Sequence, residues 1–487
     1  MSLSRLWTFL AIGLPVLGAL LASLQTVDLT YHLRAGGEIL DAAAIPRTDT
    51  FTFTAVGSAW QDQQWGAEVL LAAVYRLAGW TGLVVLRAAL VGVLFGLVFD
   101  LCRRGHATRT AALLTLASFG LAIVTLALRP QLLGMVLFAA TLWLVVSRRD
   151  HPRALSLVVP IAAVWANVHG SFFLAPVLIG LGALEDLAER RPAQARTGLV
   201  VAIVAAAATA LNPFGPAVWQ YAIGISTNAV ITTRITEWQP TNVRSPEGLA
   251  FFASVGLIAV LLVALARRGR AVPPTILLWL APFAGLGAWA VRGLAWWPIV
   301  AAVTVARVTA DVPGSAPSPA PRSRERPGTP TMRRLNAVVA ALLVIAGVAL
   351  LPVWRAEDPA LRAPVGVLGT APPGITAALR GMVVQGDRLF APQPWGSWFE
   401  FALPEASVFI DSRIELFAPA VWDDYDAITD GRADWQARLE QWKVTIVVAV
   451  DGLGPLPLAD RLAGDPGWRQ VYEDEDGRIF VRSDRPG

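Results

Sequence analysis

The chain has 487 residues, of which 55% are hydrophobic and 16% are charged, with a mean hydropathy of +0.54. A soluble globular protein of this composition would expose large apolar patches, so a membrane is the expected solvent. The net charge is only +4 and the arginines lie in short clusters between apolar runs, which argues against nucleic acid as a partner. The one cysteine, Cys102, excludes an intrachain disulfide, and no Cys/His spacing indicates zinc or a redox pair.

Apolar runs, most of about 17–22 residues, recur along the chain and are long enough to cross a bilayer. They predict eleven spans, at 6–25, 81–101, 108–128, 131–147, 155–167, 171–187, 197–211, 248–266, 274–291, 293–309 and 335–353. The first run follows Arg5 and lacks a small-residue cleavage site, so we expect it to be a retained span and not a signal peptide.

The arginines predict the orientation of these spans. With a cytoplasmic N-terminus, every inner loop is rich in arginine, whereas the outer connections hold few positive charges. An odd number of spans then places the C-terminus outside. The sequence therefore predicts a multi-pass protein of the cell inner (plasma) membrane.

Composition predicts four segments along the chain. Residues 1–310 form a transmembrane bundle with a long first outer loop (26–80) and a second outer loop (212–247). A Pro/Arg-rich cytoplasmic linker (311–334) leads to the last transmembrane helix (335–354). In residues 355–487 the β-like runs 407–410 and 444–450 alternate with a helical run around 434–442, which predicts a small extracytoplasmic α/β domain.

The first outer loop opens with a polar cluster in which Asp28, His32 and Arg34 follow a membrane exit within two turns. Ionisable groups beside a membrane are costly, so their clustering indicates a site. In an interfacial helix, Asp28, His32 and Glu38 would lie on roughly one face. The alternative is a solvated juxtamembrane helix whose Asp stabilises the N-terminal end.

The same loop then predicts an extended segment and a helix that returns to the membrane. In that helix Trp60 and Trp65 are expected to be interfacial anchors, and Glu68 is expected to face a cavity. Arg87 lies about a turn and a half inside the second span and is expected to reach the same cavity.

The later outer turns are short and strongly polar, and they contain Arg129, Gln131, Asn167, His169 and Arg292. Guanidinium groups bind phosphates bidentately, so Arg129 and Arg292 are candidates to hold the phosphate of a lipid-linked substrate. The alternative for each arginine is snorkelling to the lipid headgroups.

The second outer loop contributes Arg234 and Glu237, and Glu237 is the second candidate acidic residue. Two carboxylates and several arginines suit transfer chemistry on a phosphorylated donor. We expect Asp28, Glu237, His169 and an arginine to line one outward cavity.

Together these features resemble the GT-C superfamily of membrane glycosyltransferases, which includes the protein O-mannosyltransferases, the aminoarabinose transferases and the catalytic subunits of oligosaccharyltransferases. Its members carry an acidic residue in a long first outer loop, immediately after the first span, and Asp28 takes that place here. Thr233-Arg-Ile-Thr-Glu237 is loosely similar to the Thr-Ile-x-Glu segment of oligosaccharyltransferases, which use further acidic residues for a metal. The resemblance therefore leaves a divalent metal cofactor open, and no cofactor is assigned.

The resemblance implies transfer of a sugar from a polyprenyl-phosphate-linked donor, drawn from the membrane lipids, to a glycan, lipid or protein acceptor. Asp28 would act as general base with Glu237 as a second catalytic acid residue. The substrate-binding residues would be His32, Arg34, Glu68, Arg129, Gln131, Asn167, His169, Arg234 and Arg292. Such a donor needs no nucleotide, and no phosphate-binding Gly-rich loop follows a strand pattern.

Two other classes of function fit the same architecture. A transporter or non-catalytic lipid-sugar binding protein usually places charges near the bilayer midplane, whereas these spans are nearly free of charge in their middles. A membrane scaffold could use 408–413 together with Trp395 and Trp398 as contacts for a partner.

Overall fold

The computed structural model describes residues 1–310, 329–450 and 458–485. Its helices are α1 (Leu3–Leu21), α2 (Thr26–Ala42), α3 (Trp65–Arg103), α4 (Thr108–Ala122), α5 (Pro130–Val146), α6 (Val158–Ala166), α7 (Leu174–Ala188), α8 (Pro192–Ala208), α9 (Ala217–Thr227), α10 (Ala229–Arg234), α11 (Pro246–Arg267), α12 (Ile276–Trp289), α13 (Trp297–Thr309), α14 (Pro330–Ala349), α15 (Pro373–Arg380), α16 (Gln393–Ala402), α17 (Pro419–Thr429), α18 (Trp435–Gln441) and α19 (Leu458–Ala463). Its strands are β1 (Glu357–Asp358), β2 (Ala363–Pro364), β3 (Arg388–Phe390), β4 (Ser407–Val408), β5 (Ile446–Ala449), β6 (Trp468–Glu473) and β7 (Arg478–Arg482).

In the described residues, six helices are long and apolar enough to cross a membrane, and they are Leu3–Leu21, Trp65–Arg103, Thr108–Thr125, Gly170–Ala188, Pro246–Arg267 and Pro330–Ala349. The shorter apolar helices are Pro130–Val146, Pro152–Ala166, Pro192–Ala208, Ile276–Trp289 and Trp297–Thr309. Each predicted span coincides with one of these helices. The protein is therefore a multi-pass membrane protein, and the predicted fold class is confirmed.

The chain divides into two compact units. Unit 1 contains Met1–Ala22, Val84–Ser226 and Thr232–Trp354, and unit 2 contains Ser23–Leu83, Thr227–Ile231 and Arg355–Gly487. The boundary lies inside α3, a little after that helix is interrupted at Ala78 and Gly79. Gly79 has a φ of 56°, which glycine adopts without the steric penalty of a side chain.

Unit 1 is a helical bundle in which α1 contacts α4 and α14, and α7 packs along α8. Only 6% of the apolar window in α14 is buried, which suits a helix that faces lipid. Thr329 caps α14 by accepting a hydrogen bond from the Met332 amide at 3.3 Å. The last helix therefore begins five residues before the predicted position 335, and the linker residues 311–328 lie outside the described residues.

A buried ionic network holds several helices of unit 1 together. Arg148, at the end of α5, donates to Asp186 at 2.7 Å and to Glu185 at 3.0 Å, and both acids are on α7. Arg307 of α13 and Trp279 of α12 also donate to Glu185. Because each of these charges is matched by protein groups, we interpret this network as structural.

Unit 2 is built on a five-stranded sheet of order β4-β3-β5-β7-β6. Strands β4, β3 and β5 are parallel, whereas β7 is antiparallel to both β5 and β6. Every residue of β5 is buried, which explains its uninterrupted apolar sequence. The strands β4 and β5 and the helix α18 lie where the sequence predicts β-like and helical runs.

The first loop is part of this same unit. Helix α2 packs against α16, and Thr52 forms a β-bridge with Val408 of β4. The Trp80 indole also donates to the Arg362 carbonyl at 3.1 Å. Residues 26–83 are thereby fixed against the C-terminal part of the chain within unit 2.

Candidate functional site

Asp28 lies in the first turn of α2, partly exposed, directly after the first apolar helix. The helix that the sequence predicts after the first apolar run is present as α2, which begins at Thr26 and packs on α16; its interfacial position stays a prediction. A carboxylate in the first turn interacts favourably with the positive end of the helix dipole. Asp28 therefore occupies a favourable position for an ionised carboxylate on α2.

His32, one turn after Asp28 on α2, forms a buried pair with Glu68 of α3. The His32 Nδ1 and the Glu68 Oε1 are 2.8 Å apart, and the two residues are 2% and 1% exposed. Glycine at position 36 makes this approach possible, since a Cβ there would lie 2.1 Å from the Glu68 carbonyl oxygen. Glu68, expected to face a cavity, is instead enclosed and bonded to His32.

Asp62 extends this pair into a chain of three titratable side chains. Its carboxyl group is in hydrogen-bonding contact with Glu68, and it is 2% exposed. Burial raises the pKa of Asp62 to about 6, against the opposing effects of the Glu68 hydrogen bond and of nearby Arg413. The Asp62 carboxyl group therefore keeps its proton to a higher pH than an ordinary aspartate does.

The Arg413 cluster, consisting of Arg413, Asp49, Asp411, Phe51 and Trp60, ties the first loop to the C-terminal region within unit 2. Arg413 donates to Asp49 at 2.6 Å and to Asp411 at 2.8 Å. Its guanidinium carbon lies 4.5 Å from the ring centroids of both Phe51 and Trp60. Burial lowers the pKa of Arg413, but the neighbouring carboxylates outweigh it and hold the pKa above its ordinary value.

The expected anchor role of Trp60 is wrong. Trp60 is only 6% exposed, and it packs in a core with Phe51 and Ala35. The physical reason is the buried Arg413, whose flat cation is stabilised by stacking on aromatic rings.

Arg34 and Glu400 connect α2 to α16. Arg34 donates to the Glu400 backbone carbonyl at 2.7 Å, to the Glu38 carboxylate at 3.4 Å, and stacks 4.2 Å from the Phe51 ring centroid. The Glu400 side chain is fully buried beside Asp411. Burial, and then the Asp411 charge, raise the pKa of Glu400 well above its ordinary value.

The Glu237 cluster, consisting of Arg129, Glu237, Trp238 and Arg292, lies in unit 1. Arg129 precedes α5 and donates to Glu237 at 2.6 Å, while Arg292 approaches the other carboxylate oxygen at 4.0 Å and stacks 5.2 Å from the Trp238 ring centroid. The three charged side chains are 17%, 33% and 30% exposed, in chain order. Two partly exposed guanidinium groups flank one carboxylate there, and guanidinium groups are suited to binding an anionic ligand.

Two other predicted residues, Asn167 and His169, have local hydrogen bonds in unit 1, and a third, Gln131, is buried there. Asn167 donates to the carbonyls of Ala163 and Leu211, both at 2.8 Å. His169 accepts from the Ser171 amide at 3.2 Å and so caps the short helix that begins at Gly170. Gln131 is 1% exposed in the first turn of α5.

The two remaining predicted residues, Arg234 and Arg87, differ in exposure. Arg234 is exposed at the end of α10. Arg87, expected to reach a cavity, is 2% exposed and donates to the Ala22 carbonyl at the end of α1. That bond satisfies a backbone acceptor that the helix leaves unpaired.

The structure thus brings the predicted residues together in two groups, His32 with Glu68 behind Asp28, and Arg129 with Arg292 around Glu237. The expectation of one cavity lined by Asp28, Glu237 and His169 stays a prediction. Sequence reasoning missed Asp49, Asp62, Glu400 and the pairing of Asp411 with Arg413. The sequence did contain a signal for this pairing, because the acid Asp411 and the base Arg413 closely follow the apolar run 408–410.

Metal binding has no matching site in the part of the chain that the structure describes. There, no three or more His, Cys, Asp or Glu side chains are grouped in a way that could hold a metal ion. Of the acidic residues of the first loop, Glu68 is bonded to His32 and Asp49 is bonded to Arg413. The described residues therefore do not form a group that fits the metal that the resemblance leaves open.

Comparison with known proteins identifies the fold. No protein-family model matches the chain, and no curated protein is similar to it in sequence. The apo crystal structure of the Archaeoglobus fulgidus oligosaccharyltransferase matches with a TM-score of 0.50 at 13% identity, covering 91% of this chain and 69% of that one. The archaeal oligosaccharyltransferase AglB from Archaeoglobus fulgidus, in complex with an inhibitory peptide and a dolichol-phosphate, matches with a TM-score of 0.50 at 13% identity over 92% of this chain and 70% of that one. The chain thus has the fold of an oligosaccharyltransferase, which is a fold that the sequence resemblance implies.

Proposed function

We propose that this chain, which has the fold of an oligosaccharyltransferase, is an integral-membrane glycosyltransferase. It transfers a sugar from a polyprenyl-phosphate-linked donor to an acceptor hydroxyl at the outer face of the inner membrane. The observation that carries the proposal is Asp28, a partly exposed carboxylate directly after the first apolar helix of this fold. The cytoplasmic N-terminus and the exported C-terminal domain are part of the proposal and rest on the arginine distribution.

A lipid-linked donor is supported by the Archaeoglobus enzyme, whose structures include complexes with a dolichol-phosphate and with an acceptor peptide. The Glu237 cluster supports it independently, because its two partly exposed guanidinium groups suit a phosphate.

In the proposed step, Asp28 takes the proton of the acceptor hydroxyl as general base. The acceptor oxygen forms a bond to the anomeric carbon of the sugar as the bond from that carbon to the phosphate oxygen breaks. The lipid phosphate leaves with the electron pair, and Arg129 and Arg292 stabilise its negative charge. Glu237 orients the two arginines and is the second acidic residue of the proposed site.

The other candidate substrate-binding residues differ in exposure, and we propose different roles for the exposed and the buried ones. Arg234 is exposed and can contact the donor or acceptor directly. Arg34, Gln131, Asn167 and His169 are proposed to shape the site, because each is buried or held by protein groups.

The test is consumption of polyprenyl-phosphate sugars by the purified protein. Asp28→Asn removes the base and should lower turnover by about 10²–10⁴-fold. Asp41→Asn is the matched control, since Asp41 lies on the same helix but is exposed and paired with Arg76, and its turnover should equal wild type.

Full turnover by Asp28→Asn would remove Asp28 from the mechanism. If wild-type protein consumes none of the donors, the transferase proposal fails in favour of a non-catalytic lipid-sugar transporter or a membrane scaffold.

A further inference from the structure

His32 lies one helical turn after Asp28 on α2, a spacing that makes the two residues neighbours on one helix face. Asp28 is partly exposed, whereas His32 is 2% exposed. An accessible carboxylate is therefore backed by a buried imidazole.

The imidazole of His32 is held in place from behind. Its Nδ1 lies 2.8 Å from the Glu68 carboxylate, which in turn contacts Asp62. A carboxylate on one ring nitrogen fixes the orientation of a histidine and stabilises its charged form. Because Gly36 admits the Glu68 backbone, α2 and the start of α3 set this arrangement rigidly.

Among the described contacts of His32, the charged partner is the Glu68 carboxylate. The charged or titratable groups on α2 and on the segments that pack with it in unit 2 are Asp28, Arg34 and Glu38 on α2, Glu68 on α3, Asp49 and Asp62 in the first loop, Glu400 on α16, and Asp411, Arg413 and Glu415 in the segment after β4. Arg413 is matched by two buried carboxylates, Asp49 and Asp411. An imidazolium that forms at His32 during the reaction is stabilised by the Glu68 carboxylate beside it.

We propose that His32 is a positioning residue that receives, through Asp28, the proton removed from the acceptor. The acceptor O–H bond breaks, its proton passes to the Asp28 carboxylate and then to the His32 imidazole, and the resulting imidazolium is stabilised by Glu68. The proton returns to solvent after the products leave, so no other reactant is needed. This inference rests on the proposed transferase function and extends it to the buried chain His32–Glu68–Asp62.

The activity test uses His32→Asn, whose amide N–H can still donate to Glu68 but cannot take up a proton. We expect kcat to fall about 10–100-fold, with the KM for the donor unchanged and the acidic limb of the kcat/KM profile displaced to lower pH, because activity no longer requires a neutral imidazole. Glu68→Gln should displace that limb in the same direction. His151→Asn, at an exposed histidine, is the matched control and should leave the profile as in wild type.

A purely structural role for His32 predicts a different result, in which His32→Asn lowers kcat equally at every pH or changes KM. Either outcome overturns the proposal.

A second measurement separates this inference from the transferase function. The protein has four histidines, so the NMR signal of His32 can be assigned as the one lost in His32→Asn. We expect this signal to titrate, and its titration to shift in Asp28→Asn but not in Asp41→Asn. If the titration of the His32 signal is the same in Asp28→Asn as in wild type, the proposal is overturned whether or not any donor is consumed.

Discussion

Two clusters of arginine and carboxylate, one in each unit, differ in burial. In the Arg413 cluster the arginine is 1% exposed and both carboxylates are fully buried. In the Glu237 cluster the three charged side chains are 17–33% exposed. A fully buried ion pair is closed to solutes, whereas partly exposed guanidinium groups can be reached by an anion. We therefore interpret the first cluster as structural and propose ligand binding for the second.

Removal of the buried base should have the largest effect on stability. Arg413→Met leaves Asp49 and Asp411 without their cation, and the free energy of unfolding of unit 2 should fall by about 3–5 kcal/mol. Tryptophan fluorescence during denaturant unfolding in detergent measures this loss. Arg432→Met, at an exposed pair with Asp430, is the control and should unfold like wild type. An Arg413→Met protein as stable as that control would contradict the structural assignment.

Two neighbouring glycines test how tightly this unit is packed. A Cβ at Gly36 would lie 2.1 Å from the Glu68 carbonyl oxygen, so Gly36→Ala should cost about 1–3 kcal/mol of stability. A Cβ at Gly37 meets only the end of the Arg76 side chain at 3.5 Å, and Gly37→Ala should be neutral or stabilising. The difference in thermal midpoint between the two variants is the readout, and equal midpoints would show that α2 and α3 are not in close contact.

The ligand-binding assignment predicts the opposite pattern for Arg129. Arg129→Gln removes one of two cations, so the KM for a polyprenyl-phosphate sugar should rise about tenfold, a loss of about 1.4 kcal/mol. Its unfolding should match wild type. Arg103→Gln, at an exposed arginine outside the Glu237 cluster, is the control for a general charge effect. If Arg129→Gln instead unfolds early and binds donor normally, the two clusters have the same role.

The smallest expected effect is a dependence of stability on pH in unit 2. The pKa of Asp62 is raised to about 6 by burial, so the folded state holds this proton more tightly than the unfolded state. The stabilisation of the folded state by protonated Asp62 is fully present below about pH 4, the ordinary pKa of an aspartate. It is lost as the pH rises through about 6. The denaturation midpoint of wild type should decline over this range, and Asp62→Asn should flatten the decline. A wild-type midpoint that rises with pH there would contradict the buried, protonated Asp62.

The sequence was sufficient for the architecture because its signals are local. Long apolar runs locate membrane helices, and the polar cluster that begins at Asp28 predicts the helix α2. Alternating short runs in residues 355–487 likewise predict the strands β4 and β5. Each of these features depends on residues close together in the chain, and the structure contains all of them.

The pairing of polar groups could not be predicted in the same way. Arg413 and Asp49 are 364 residues apart, and Arg129 and Glu237 are 108 apart, so their contacts depend on the tertiary fold. Trp60 shows the consequence, because a tryptophan beside a membrane predicts an anchor, whereas a distant arginine makes it part of a core. Arg87 is a second example, because the sequence of its own span does not indicate that it donates to the Ala22 carbonyl at the end of α1.

The most direct test of the central claim is the product balance of the purified protein. Incubated with a polyprenyl-phosphate sugar and a hydroxyl-bearing acceptor, wild-type protein should release one polyprenyl phosphate for each sugar transferred, as measured by mass spectrometry. Asp28→Asn should release neither product above background, while Asp41→Asn should release both. Sugar transfer that continues in Asp28→Asn, or intact donor in every wild-type reaction, would contradict the account.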